Sequence, residues 1–333
     1  MRNDSARFSF LYTTVAMRIF REIGADANST GAHSAEEIAQ LRANLAGVRS
    51  IIAVASAKGG TGKSAIVVNL AAALAIEGRK VAVLDADLNS PTIVAMLGMK
   101  VPRRFHSFDG IEPGAGPLGL RIAASNLITG GEPPPVSFLE EGSAAPPVSA
   151  NGHGPVELSY SATLRRLLTQ TRFGMLDLLL IDLAPGLEQL FRIARIAPLS
   201  GAIIVTQPSE ISVRASGAAL EMASLCSIRV MGVIENMVGF NCDGCHSVRP
   251  LMPHGDLAAV ANAAGIAVLG RLPFDPRLAE CSDRGTIFIR EYAETPLARQ
   301  LMALAQALDL ASGSRIQPEM PPESFAAPNF SKI

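Results

Sequence analysis

Short runs of β-branched and aliphatic residues alternate along this chain with stretches whose apolar positions recur at helical spacing. The runs Ile51–Ala55, Lys80–Leu84, Leu120–Ala123, Leu178–Ile181, Ala202–Thr206, Val230–Ile234 and Ala267–Gly270 read as strands. Between them, patterns such as Val67, Leu70, Ala71 and Leu74 read as helices. Strands alternating with helices predict an α/β fold, a doubly wound and mostly parallel sheet flanked by helices, because each parallel connection needs a crossover that covers a face of the sheet. Leu178-Leu179-Leu180-Ile181 is apolar at consecutive positions, as a strand buried on both faces must be.

The pattern weakens at three places. Residues 1–47 are polar and Ala-rich, with a possible helix over Ala35–Leu45, and read as an N-terminal arm without a legible role. Residues 48–311 carry the strand and helix alternation. Inside them, residues 129–155 hold Pro133-Pro134-Pro135, Pro146-Pro147 and several glycines and serines, a composition that predicts a long surface loop unable to sustain ladder hydrogen bonds. The last helix is expected over about Pro296–Ala311, followed by a polar, flexible tail at residues 312–333.

Composition adds bounds rather than partners. The chain has 333 residues, 48% of them hydrophobic, which is ample for a packed core. Lys and Arg number 29 against 30 Asp and Glu, so no overall basic field suggests nucleic-acid binding, and none is expected. Phe8–Phe20 is apolar, but Arg18 and Arg21 interrupt or flank it and no small-residue cleavage site follows, so a cytoplasmic location is expected. No stretch reaches the roughly 18 uninterrupted apolar residues of a spanning helix, so stable membrane insertion is not expected.

The chemistry concentrates after the first strand. Ser56-Ala57-Lys58-Gly59-Gly60-Thr61-Gly62-Lys63-Ser64 sits between a strand and a helix pattern, the setting of a phosphate-binding loop. Glycines let successive backbone N–H groups turn toward phosphate oxygens, and the helix N-terminus adds its dipole. Lys63 is placed to reach β and γ phosphates and Ser64 to ligate Mg²⁺, which makes Gly59, Gly60, Thr61, Gly62, Lys63 and Ser64 the candidate ATP-binding residues. Ala57 stands where the general pattern wants glycine; a second lysine, Lys58, marks the deviant form of the loop. Asp182, delivered by the buried strand Leu178–Ile181 to its C-terminal end, is the candidate carboxylate for the metal.

The loop resembles that of the ParA, MinD, nitrogenase iron protein and Mrp/ApbC superfamily, over about residues 48 to 310. Asp85-Ala86-Asp87-Leu88-Asn89-Ser90-Pro91 is similar to the Mrp/ApbC switch I, Asp182-Leu183-Ala184-Pro185-Gly186 to switch II, and Glu235-Asn236-Met237 to the segment that reads adenine. Leu272-Pro273-Phe274-Asp275 is similar to the loop beside the base. The resemblance implies that Lys58 acts across a homodimer interface, that Asp87 positions or activates the attacking water, that Asp182 supports Mg²⁺ through water, and that Asn236 contacts the base. Catalytic roles thus fall on Lys58, Lys63 and Asp87, for a slow, Mg-dependent ATP hydrolysis. Switch II is shorter than usual before Glu188-Gln189-Leu190, which bears on how hydrolysis is timed. For Asp85 a turn or helix cap and a metal-site role both remain open.

Of four cysteines, Cys242 and Cys245 form a Cys-x-x-Cys shortly after Asn236, where Mrp/ApbC proteins carry theirs. One pair supplies two thiolates, so a four-thiolate site needs two chains. The resemblance implies an iron–sulfur cluster, of the 4Fe–4S kind, shared by two subunits and passed to apo iron–sulfur proteins. Zinc, a redox dithiol, a single-chain zinc site recruiting His246 or His254, and haem on Cys242-Asp243-Gly244-Cys245-His246 are the competing readings. Cys226 reads as core; Cys281 is unassigned. A positioning ATPase acting on DNA or membrane, with helix Leu297–Leu310 as an anchor, is the alternative function, although Leu297, Leu301, Leu304 and Leu308 suit a packed final helix better.

Overall fold

The structure is a computed structural model, and it describes residues 35–100, 110–129, 136–137, 158–241, 244 and 247–312. Its strands are β1 (Val48–Ala55), β2 (Val81–Ala86), β3 (Gly114–Ala115), β4 (Arg121–Ala124), β5 (Val136–Ser137), β6 (Leu158–Ser159), β7 (Leu176–Leu183), β8 (Gly201–Thr206), β9 (Val230–Asn241), β10 (Val248–Arg249) and β11 (Val268–Phe274). Nine of them form one sheet in the order β10-β9-β8-β1-β7-β2-β4-β3, with β11 also paired to β9. Only β3 against β4 and β10 against β9 run antiparallel; the other pairs in that sheet are parallel. The expected doubly wound α/β sheet is thus what the residues build.

Alternation along β1 shows why both faces are covered. Ile52 and Val54 join one core with the helix Lys63–Ile76 and the C-terminal helix Pro296–Ser312, while Ile51 and Ala53 join a second core with the helices Tyr160–Gln170 and Leu187–Ile196. Opposite pleat directions send neighbouring side chains to opposite layers. Lys63–Ile76 is apolar nearly all round because it lies under both the sheet and Pro296–Ser312. Asn69, buried within it, donates to the Ala65 carbonyl at 2.9 Å and accepts from the Ile289 N–H at 3.1 Å, so burial leaves it satisfied.

Several sequence boundaries shift. β9 runs on from the expected Ile234 to Asn241, carrying Glu235, Asn236 and Met237 inside the ladder, because β11 and then β10 supply partners beyond the expected end. The expected loop at 129–155 is corrected in part: Val136 and Ser137 pair in parallel with Leu158 and Ser159. Pro133–Pro135 lack N–H donors, but the two residues after them do not. The helix expected at Ala35–Leu45 is present and buries Leu41 and Leu45 in the second core, where Asn44 donates to the carbonyls of Leu168 and Thr171, each at 2.6 Å. The final helix buries Leu297, Leu301, Leu304 and Leu308, as a packed helix should. No helix among the described residues is long and apolar enough to cross a membrane.

Candidate functional site

The site is assembled at the C-terminal ends of three adjacent strands, β1, β7 and β2. Registers Val54↔Asp182 and Asp85↔Asp182 place the phosphate loop, Asp182 and Asp85 side by side. Binding crevices of parallel sheets form at such ends because the connections diverge there.

Gly60 and Gly62 take φ of 75° and 78°, a left-handed conformation that a side chain would resist, and this turn delivers the chain into the first helical residue, Lys63. A Cβ at Gly62 would sit 2.5 Å from Asn236 Nδ2, so the loop needs glycine there for space as well as for conformation. Lys63 is buried, and its Nζ forms an ion pair with Asp182 Oδ1. Asp182 is fully buried, and its other oxygen, Oδ2, has no hydrogen-bond partner. A buried carboxylate oxygen without a donor is costly unless a cation or its waters complete it. Ser64, half-buried in the first helical turn, provides a second hard oxygen ligand. That donor set fits Mg²⁺.

Asp85 resolves toward the capping role. Its Oδ2 accepts from the N–H groups of Thr92 and Ile93 at 2.8 and 3.0 Å, and its Oδ1 from Asp87 N–H at 3.1 Å, which ties both ends of the turn after β2 to the sheet. Burial, and then the facing Asp182 carboxylate, push the Asp85 carboxyl up to about 7 against the pull of those N–H groups and of Lys63. Asp87 is half-buried, accepts from Ser90 N–H at 3.3 Å, and is also pushed upward by burial, with Lys63 opposing. Lys58 is exposed and makes no ion pair among the described residues. Gly59 and Gly60 are exposed beside it, and Thr61 is buried.

Asn236 is placed behind the loop: its Nδ2 donates to the Thr61 carbonyl at 2.8 Å, and it is buried. The turn after β7 closes the opposite side. Gly186 N–H donates to the Ser56 carbonyl at 3.0 Å, with φ 121° allowing the turn into helix Leu187–Ile196. Ser56 Oγ in turn donates to the Lys58 carbonyl at 2.9 Å.

Four contacts were not legible in the sequence. Tyr160 OH donates to the Ala86 carbonyl at 2.6 Å, gripping the backbone between Asp85 and Asp87. Gln207 donates to the Gly60 carbonyl at 3.0 Å and lies 3.3 Å from Met237 Sδ. Buried Glu235 pairs with Arg271 at 3.0 Å, and burial pushes its carboxyl upward. A tyrosine after a proline-rich stretch and a glutamine after a strand carry no motif. Only the strand order makes them neighbours of the loop.

Cys242, Cys245 and His246 lie outside the described residues. Their flanks are described: Asn241 pairs with Val248 and Phe240 with Arg249, antiparallel. The Cys-x-x-Cys therefore belongs to the connection between β9 and β10. His254 Nε2 lies 3.0 Å from the Val238 carbonyl. Cys226 is buried against Phe191 and Met222, with its thiol pushed up to about 11 by burial, in agreement with a core role. Cys281 is buried, its Sγ 3.6 Å from both Glu291 Oε2 and Arg284 Nη2.

Residues 47–138 and 153–309 match the family model of the NUBPL iron-transfer P-loop NTPases, within ParA. An iron–sulfur cluster carrier protein of Methanocaldococcus jannaschii is 37% identical over 253 residues, covering 75% of this chain and 81% of its own length. The human cytosolic Fe–S cluster assembly factor NUBP2 is 36% identical over 270 residues, covering 80% of this chain and 94% of its own length. Among solved structures, a nucleotide-binding protein of Archaeoglobus fulgidus in complex with ADP superimposes with a TM-score of 0.62 at 28% identity, over 78% of this chain and 95% of that one.

Proposed function

This chain belongs to the NUBPL-type iron-transfer P-loop NTPases of the ParA family, and from that membership we propose that it is a homodimeric carrier of iron–sulfur clusters whose ATP-binding loop, slow at hydrolysis, governs the carrier's state. The observation that carries the reading is the path of β9. One strand holds Asn236 against the phosphate loop and leads, at Asn241, directly into the Cys-x-x-Cys. The strand that touches the phosphate loop at Asn236 thus continues to Asn241, the residue before the thiol pair in the sequence.

ATP enters as substrate over Gly59–Ser64, where backbone N–H groups and the start of helix Lys63–Ile76 meet its phosphates. Lys63 leaves Asp182 to pair with the β and γ phosphates, since a phosphate offers more negative charge than the carboxylate it replaces. Ser64 and Asp182 are the residues that would hold Mg²⁺, which would supply charge neutralisation at the phosphates. Asp87, close enough to feel the charge of Lys63, orients the attacking water. Lys58, exposed on the rim, reaches the nucleotide of a second copy. After phosphate leaves, Lys63 returns to Asp182. Asn236 contacts the adenine with the donor and acceptor of its amide.

The cargo is a cluster, of the 4Fe–4S kind, bridged by Cys242 and Cys245 from each of two copies and handed to apo iron–sulfur proteins. Neither nucleic acid nor membrane insertion enters this scheme, and the place of action is the cytoplasm. Anaerobic reconstitution with iron and sulfide, followed by visible spectroscopy and metal analysis, tests it. Wild type is expected to bind one cluster per two chains, and Cys242→Ala and Cys245→Ala to bind none; equal loading by the variants, or no loading by wild type, sinks the proposal.

A further inference from the structure

We infer that Gln207 is a positioning residue that links the phosphate loop to the strand leading toward the cysteine pair, so that nucleotide at the loop is felt at Met237. The inference rests on the reading that the loop binds ATP, and goes beyond it by naming the connection.

Three observations converge. Gln207, half-buried just past the end of β8, donates from one amide nitrogen to the Gly60 carbonyl at 3.0 Å and approaches Met237 Sδ at 3.3 Å. Its neighbours are therefore the most exposed turn of the phosphate loop and the middle of β9. Met237 has φ 62°, in the left-handed region that a non-glycine residue avoids unless its surroundings hold it there. In a regular strand, Asn236 and Met237 would point to opposite faces. The positive φ breaks that alternation, and both side chains reach the same glycine: a Cβ at Gly62 would meet Asn236 Nδ2 at 2.5 Å and Met237 Cε at 3.4 Å.

The geometry has a mechanical consequence. Phosphates bound by the loop would reorient the peptide units around Gly60 and Gly62, which carry the acceptor of Gln207 and the surface that Met237 rests on. Gln207 can then keep only those contacts that the new loop allows. A change at Met237 passes along β9 through Val238, whose carbonyl lies beside His254, to Phe240 and Asn241, which pair with β10. Asn236 offers a parallel contact through Thr61, but it is locked inside the ladder with β11, whereas Gln207 stands outside any strand and is free to exchange partners.

Hydrogen exchange read by mass spectrometry on the full chain, with and without ATP and Mg²⁺, tests the link. In wild type, nucleotide is expected to change exchange at least about threefold both at residues 58–64 and at residues 237–241. Gln207→Leu, which removes the donor at similar size, is expected to keep the response at 58–64 and reduce that at 237–241 to less than about half. Met237→Leu, which removes the sulfur that Gln207 meets and the terminal methyl beside Gly62, is expected to do the same. A full response at 237–241 in both variants overturns the inference, as does a wild type that responds at 58–64 alone. A wild type that responds at neither segment overturns the ATP reading itself, and this inference with it.

Discussion

Asp85 and Asp182 stand directly opposite each other on adjacent parallel strands, both fully buried, with a single ion-paired lysine, Lys63, to offset two carboxyls. Burial, and after it this imbalance, push the Asp85 carboxyl up to about 7. One positive charge stabilises one ionised neighbour well and a second one poorly.

The sign of the pH effect follows. Between the ordinary value of 3.8 and about 7, the folded protein holds a proton on Asp85 that the unfolded chain has released. Stability from this group is therefore present below the lower value and lost as pH rises toward the upper one. Asp85→Asn cannot ionise and forfeits about one backbone hydrogen bond, worth ~1 kcal/mol. Urea unfolding of both proteins is expected to show the variant less stable at pH 5, with the gap narrowing or reversing at pH 7.5; a gap that widens with pH contradicts the assignment.

Lys63 and Asp182 form a buried pair, and removing one partner leaves the other charge uncompensated. Lys63→Met is expected to lower stability by about 3 kcal/mol and to weaken ATP binding at least ~100-fold. The double variant Lys63→Met with Asp182→Leu is expected to recover much of the stability and none of the binding. Thermal unfolding and nucleotide titration separate the two effects.

Gly62→Ala meets two obstacles, a φ of 78° and the Asn236 amide 2.5 Å from the new Cβ. The expected loss of stability is about 1–3 kcal/mol, with ATP binding abolished. Adding Asn236→Ala relieves the contact but not the backbone strain, so only part of the stability should return on chemical denaturation.

Lys58, exposed and outside any ion pair among the described residues, is expected to matter between copies rather than within one. Lys58→Ala should leave stability within about 0.5 kcal/mol of wild type, as surface substitutions usually do. Light scattering after size exclusion with ATP and Mg²⁺ should show the wild type as a dimer and the variant as a monomer; a variant that still dimerises removes Lys58 from the interface.

The parallel sheet was legible because its strands are short apolar runs between helical periods, a pattern set by local geometry. The phosphate loop was legible for a related reason: Gly60, Gly62, Lys63 and Ser64 act through backbone conformation and a helix terminus, both decided within a few residues. The extension of β9 was not, because residues 235–241 join the sheet only where β11 and β10 arrive from elsewhere in the chain. Val136–Ser137 escaped for the same reason, since their partner lies beyond a proline-rich stretch.

The sequence by itself determined the fold class, the phosphate loop and the carboxylates at the strand ends, all of which rest on interactions between residues near one another in the chain. Only the tertiary structure decided that Asp85 faces Asp182, that Lys63 is held by Asp182, that Tyr160 grips Ala86, and that Gln207 bridges Gly60 and Met237. Those relationships depend on strand order and register. Both are settled by how two apolar cores close around the sheet, which is a property of the whole chain and of no segment within it.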